Sequence, residues 1–305
     1  MGDQVRSLFD DLSFSCSVQF MSFTIQQKTN AVGFPKPAEL IEITGTSGLE
    51  AQDRALMNAL YKHAHDSGDL AKQGASWSLP LATLNPGAHK DLDRVRASLS
   101  RLLGIQVAVT YFDPMKGENM VLQTVLFEHF ITTEKGAPCA MLEYAIPTKL
   151  RGILARSDRW GRIKAEVVHA MSSKYAIALY ELLRLRANMN NCVETFTYER
   201  FRDLIGVPKG AYEAGKDFKI RVIDPAVLEI NGLSELGCQI DLFRIHSRAV
   251  ISKVTVAWWR KDGDAQKSAI QELSRSKLGR KARLRGQVEI VQEQIGIENA
   301  GCSAA

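Results

Sequence analysis

Apolar residues recur at helical spacing in two stretches of the first half of the chain. From Leu49 to Ala64 the seam is Leu49, Leu56 and Leu60. From Asp91 to Leu103 it is Leu92, Val95, Leu99 and Leu102, with Asp91 and Asp93 favouring the helix start and Gly104 its end. The period then changes to two, predicting strands over Ile105–Phe112, Val121–Thr132 and Ala140–Ile146, with turns at Asp113-Pro114 and Lys135-Gly136. The second half repeats the order. Ser172 or Ser173 caps a helix running to about Arg186, Thr197 caps a short one stopped by Gly206 and Pro208, and a third stretch runs from Asp217 to Asn231. Two strands follow, Cys238–Ile245 and Ala249–Trp259, around a tight basic turn. In the second strand Val250, Ser252, Val254, Val256 and Trp258 share one face.

Three helices followed by a hairpin describe a winged helix-turn-helix, although other α+β domains of this size share the pattern. The expected fold is therefore α+β, two tandem winged helix-turn-helix domains. Residues 1–38 read as an N-terminal arm, because Gly33-Phe34-Pro35-Lys36-Pro37 breaks any regular element. Residues 39–165 form the first domain, 166–262 the second, and 263–305 a basic tail. Met1 and Met21 are both possible starts.

The 305 residues hold 39 Lys/Arg against 34 Asp/Glu, unevenly spread. Residues 1–145 carry 12 basic against 16 acidic residues, and residues 146–305 carry 27 against 18. Ile146 to Asn190 has 9 against 3, and Ser268 to Arg285 has six basic residues beside one acid, Glu272. Such an asymmetry is either a solvated surface or an anion-facing half, most simply toward nucleic acid. No apolar run is long enough to span a bilayer, and the N-terminus lacks the basic start and apolar core of a secretory signal. The five cysteines are scattered with no CxxC pair, so reduced thiols, a cytoplasmic location and no metal are expected.

Catalytic signatures are missing. Gly210-Ala-Tyr-Glu-Ala-Gly-Lys216 matches the core of a phosphate-binding loop, but Asp217 stands where Ser or Thr must hold magnesium. There is no GxSxG, no HExxH and no paired-histidine nicking motif. A non-enzyme without cofactors is expected, binding through basic side chains. In the third helix of the second half, Phe218, Val222, Ala226 and Ile230 form the seam, leaving Lys216, Lys219 and Arg221 to face elsewhere. They lie at the N-terminal end, where recognition helices touch bases, and Arg221 suits guanine bidentately. Pro225 has no amide hydrogen, so it must kink the helix or open its second half. Ser172, Ser173 and Lys174 open a helix whose free amides suit a phosphate. Lys209, Arg244, Arg248 and Lys253 complete the candidate DNA-binding set, Arg248 at the wing tip.

At these residues the sequence resembles the iteron-binding plasmid replication initiators, the Rep proteins. The resemblance rests on Ser172-Ser-Lys-Tyr-Ala-Ile-Ala-Leu-Tyr-Glu-Leu-Leu183, on Phe201-Arg-Asp-Leu-Ile-Gly-Val207 and on Asp217-Phe-Lys-Ile-Arg-Val-Ile-Asp-Pro-Ala-Val-Leu-Glu-Ile-Asn231. It covers roughly residues 45–260 and is strongest from 170 to 232. It implies two winged-helix domains, the second reading the major groove of directly repeated origin DNA and the first making backbone contacts or a dimer interface. It further implies a monomer–dimer equilibrium, opening of an adjacent A·T-rich region, recruitment of the host replicative helicase and initiator proteins, repression of the initiator's own gene by dimers, and no membrane partner. A winged-helix transcriptional regulator without origin function is the alternative. Ile220 and Leu228 depart from the resemblance, standing where relatives commonly carry basic residues.

Overall fold

The computed structural model describes residues 33–85, 92–135, 139–246 and 249–286. The described residues open with β1 (Phe34–Pro37) and α1 (Ala38–Ile41), then α2 (Ala51–Asp66), β2 (Trp77–Pro80), a 3-10 turn (Leu81–Leu84) and α3 (Asp93–Leu103). Next come β3 (Gln106–Asp113), β4 (Glu118–Val125), β5 (His129–Thr132), β6 (Met141–Ala145), α4 (Thr148–Arg156), β7 (Trp160–Ile163) and α5 (Ala165–Ala170). The second half holds α6 (Lys174–Arg186), β8 (Val193–Thr197), α7 (Tyr198–Ile205), α8 (Gly215–Phe218), a π turn (Lys219–Ile223) and α9 (Asp224–Leu233). Its last described elements are β9 (Leu236–Phe243), β10 (Lys253–Arg260), α10 (Gly263–Ser274) and α11 (Arg280–Leu284).

The two halves repeat one plan. In each, a long helix (α2 or α6) leads to a strand, a short helical turn, a third helix and a closing hairpin. The sheet orders correspond, β2-β6-β5 in the first unit and β8-β10-β9 in the second, so the first strand pairs with the last in both. All these pairings are antiparallel. This is the tandem winged-helix architecture. The first unit adds the β3–β4 hairpin between its third helix and β5. The alternating run expected from Val121 to Thr132 is therefore two strands in separate sheets. The chain leaves one for the other at Leu126 and Phe127, each 3% exposed, which turn into the core. Sequence periodicity missed β8, a short polar strand (VETFT) with one buried residue, Phe196.

Two expectations at the ends are corrected. Residues 34–37 are not part of an arm: β1 pairs with β7 and all four residues are buried. A strand with one neighbour tolerates Pro35 and Pro37, whose spacing of two lets both missing amide hydrogens fall on the unpaired side. Lys36 is fully buried, and its ammonium lies 2.8 Å from the Glu181 carboxylate of α6 and donates to Asn58 Oδ1 at 2.8 Å. Burial pushes the Lys36 pKa down, while Glu181 opposes the shift. At the other end, residues 263–286 are not a solvated tail. Glu272 accepts from Arg283 (2.7 Å) and Arg280 (3.2 Å), Arg280 also donates to Ala170 O at 3.1 Å, and Lys277 donates to His169 O at 2.6 Å. Leu284 fills the space over Gly232 of α9, where a Cβ would approach it to 2.3 Å. Glu272 folds this run of basic residues on itself, and the bonds to His169 O and Ala170 O with Leu284 over Gly232 fasten it to the second unit.

Much of the basic surplus between Ile146 and Asn190 is likewise internal. Arg151 is buried and donates to Ala75 O. Arg184 pairs with Glu235 at 2.6 Å, and Arg186 pairs with Glu42 at 2.7 Å and with Glu194. Arg162 donates to Gly33 O. Charge counted along the chain thus overstates the charge presented to solvent here; Lys149, Arg156 and Arg159 remain exposed.

Candidate nucleic-acid interface

The second unit builds its outer helix step by step. Thr197 caps α7, its hydroxyl accepting from Arg200 N. Gly206 ends the helix at φ 74°, where a side chain would be strained and would press on Arg54, whose nitrogen lies 2.5 Å from the Cβ position. The turn that follows is held by Arg202. Its guanidinium donates to the carbonyls of Pro208, Ala211 and Tyr212, and stacks 5.3 Å from the Tyr198 ring and 5.4 Å from the Phe218 ring. One side chain thereby fixes the angle between α7 and the helix after it. Sequence reading passed over Arg202; its only signal there is the four-residue spacing from Tyr198.

The third helix is continuous from Gly215 to Leu233 through α8, the π turn and α9. Phe218, Val222, Ala226 and Ile230 are each at most 2% exposed, and burying the Phe and Ile alone is worth ~1.5–3 kcal/mol apiece. The expected disruption at Pro225 takes a specific form. The π turn lies immediately before it, and Asp224 N donates to Lys219 O, five residues back. Widening the helix there accommodates the ring and the missing donor without opening the second half.

Outward from this seam stand Lys216, Lys219, Ile220 and Arg221, all exposed. Lys219 meets Asp224 at 2.6 Å and Arg221 approaches Asp217 at 3.9 Å, with all four side chains about half exposed or more. Such pairs are worth only ~0–1 kcal/mol, so an incoming anion displaces them cheaply. Beside the helix an open cleft of about 920 Å³ separates it from β9, lined by Lys216, Lys219, Asn231, Gln239, Asp241 and Arg244 among others. Arg244 packs against the helix start: a Cβ on Gly215 would fall 1.9 Å from its guanidinium nitrogen. Lys209 is exposed in the turn after α7, and Lys253 is exposed at the start of β10, opposite Phe243. Lys216, Lys219 and Arg244 thus line one cleft, whereas Lys253 alternates with the buried Val254 and stands on the sheet face turned away from the helices. Arg248 lies outside the described residues.

The amides of Ser172 and Ser173, just before α6, already have an anionic partner: the buried Glu229 of α9 accepts from Ser172 N (3.0 Å), Ser173 N (3.1 Å) and the Ser172 hydroxyl. Ser173 Oγ caps α6 by accepting from Ala176 N. Lys174 Nζ donates to Ser47 O of the first unit at 2.7 Å, and burial lowers its pKa. Ser172, Ser173 and Lys174 therefore hold the molecule together. The periodic pattern located the helix cap correctly but carried no information on the carboxylate 56 residues further on.

Residues 197–251, from the α7 cap through the third helix to the wing, match the family model described as initiator Rep protein, WH2. No curated protein matches the sequence significantly. Among solved structures, a crystal structure of Pi initiator protein in complex with iteron DNA superposes with a TM-score of 0.51 and 16% identity, covering 78% of this chain and 100% of that one. At that identity the likeness concerns the fold, and it spans both units. The second unit has a winged-helix fold, and its residues 197–251 resemble the second winged-helix domain of initiator Rep proteins.

Proposed function

We propose that the protein is a sequence-specific DNA-binding initiator of plasmid replication that binds direct repeats, iterons, at its origin. The observation that carries this reading is the third helix of the second unit. It is anchored by a fully buried seam, presents Lys216, Lys219 and Arg221 to solvent, and lies inside the segment that matches the initiator Rep family. A helix of this kind fits the major groove, where Arg221 reads guanine and Lys219 and Lys216 read or flank it. Lys209, Arg244 and Lys253 are assigned to the flanking phosphates, being basic residues on the turn and wing beside that helix. The protein works by binding, without catalysis or nucleotide turnover. Opening of an A·T-rich region, recruitment of host replicative helicase and initiator proteins, and repression of its own gene belong to the same reading.

The first unit is assigned self-association. Its β4 has β3 as its one neighbour among the described residues, leaving an open edge with Val121 59% exposed. A two-fold pairing there would set two second units against an inverted repeat, while direct repeats would take monomers.

The test is a footprint of the full chain on the DNA flanking its gene. Protection of tandem direct repeats beside an A·T-rich stretch is the expected result. Protection of a promoter-embedded inverted repeat alone would replace the initiator reading with that of a winged-helix transcriptional regulator.

A further inference from the structure

Ile220 stands out on the third helix. It is 52% exposed, between Lys219 and Arg221, whose side chains are 59% and 66% exposed. Three successive residues of the π turn thus face outward, two of them cations and the central one a β-branched hydrocarbon. Ile220 is not part of the seam, and a polar residue there would leave Phe218, Val222 and Ala226 buried, so folding does not require it. Its chemistry is also wrong for a phosphate, having no donor and no charge. In the major groove the edges of guanine, cytosine and adenine offer only hydrogen-bonding groups, and thymine alone presents a methyl group.

Building on the proposed reading of this helix as the DNA-reading element, we infer that Ile220 is a specificity-determining residue that packs on the 5-methyl of a thymine in each bound repeat. The branched side chain has few χ1 rotamers to lose, so its contact comes at low entropic cost. The flanking cations bring the helix down on the duplex, and Ile220 then discriminates at a base step that neither cation reads. The repeat is thereby required to carry thymine beside the guanine taken by Arg221.

The test uses the full chain and the duplex it selects from a randomised pool. Each thymine in that duplex is replaced in turn by deoxyuridine, which removes only the methyl. One position is expected to weaken binding about threefold to fivefold, the worth of one buried methyl. Ile220→Ala should bind the thymine duplex correspondingly less well and be indifferent to uracil at that position alone, while Ile220→Val keeps the response. Because Ile220 is exposed, the alanine variant is expected to melt with the wild type. The inference is overturned if no thymine is sensitive, or if Ile220→Ala responds to uracil as the wild type does. A chain that selects no sequence at all overturns the proposed function itself, and this assignment with it.

Discussion

The two winged-helix units share a topology and differ in how their third helices use arginine. In the first unit, α3 carries Arg94, Arg96 and Arg101. Arg96 donates to Thr132 Oγ1 and Thr133 O, and Arg101 forms a two-point contact with Asp53, whose carboxylate is fully buried. Two of its three arginines are thus committed to holding the unit together. In the second unit the cations of the third helix meet only exposed carboxylates on the same helix, and the inward work is done by apolar residues. The same fold buries its arginine contacts in one place and exposes its cations to solvent in the other. What separates the two is which side of the helix the seam occupies and whether a partner lies within reach of each cation. Regional charge (12 basic against 16 acidic, then 27 against 18) points the same way, though the internal pairs of Arg151, Arg184, Arg186 and Arg280 show how much of it is structural.

The largest way to break the comparison is to cut the joint between the units. Lys36→Met leaves Glu181 buried without its cation, and loss of ~3–5 kcal/mol of stability is expected in urea unfolding. A change below ~1 kcal/mol would mean that Glu181 finds another partner. Replacing one exposed arginine in each unit sharpens the contrast. Arg221→Ala should weaken binding to the cognate repeat by ~1–3 kcal/mol and to random DNA by less, whereas Arg94→Ala in α3 should leave both within about twofold in a fluorescence titration. Equal loss on both DNAs would reduce Arg221 to a phosphate contact. The smallest change in stability is expected at the open edge of β4. Val121→Glu should fold normally and sediment as monomer, whereas Leu126→Glu, at 3% exposure, should unfold the first unit. A folded dimer of Val121→Glu would move self-association elsewhere.

A large part of this was legible in the sequence because it rests on local periodicity. The seams of α2, α3, α6 and the third helix, the caps at Ser173 and Thr197, and the β9–β10 hairpin each follow from residues close together in the chain. What was not legible depends on distant partners. Nothing near Pro35 and Pro37 announces that β7, more than 120 residues on, supplies the neighbour that makes them a strand. Glu229 closes the amides at Ser172 and Ser173 across 57 and 56 residues, which turned an expected phosphate site into a structural one. The run after Ser268 reads as solvated because Glu272 is one acid among six bases, yet its buried carboxylate gathers Arg280 and Arg283. The π turn before Pro225 is intermediate: the proline signalled an irregularity, and only the hydrogen bond from Asp224 to Lys219 gives its form.

The central claim, that the second unit reads the major groove through its third helix, is tested most directly by methylation interference on the selected repeat. Methylating guanine N7 blocks the major-groove edge that Arg221 is assigned to read, and methylating adenine N3 blocks the minor groove. The account predicts that N7 methylation at one guanine abolishes wild-type binding, and that Arg221→Ala, bound more weakly, becomes indifferent to methylation at that guanine alone. Interference confined to adenine N3, or an unchanged pattern in Arg221→Ala, would contradict it.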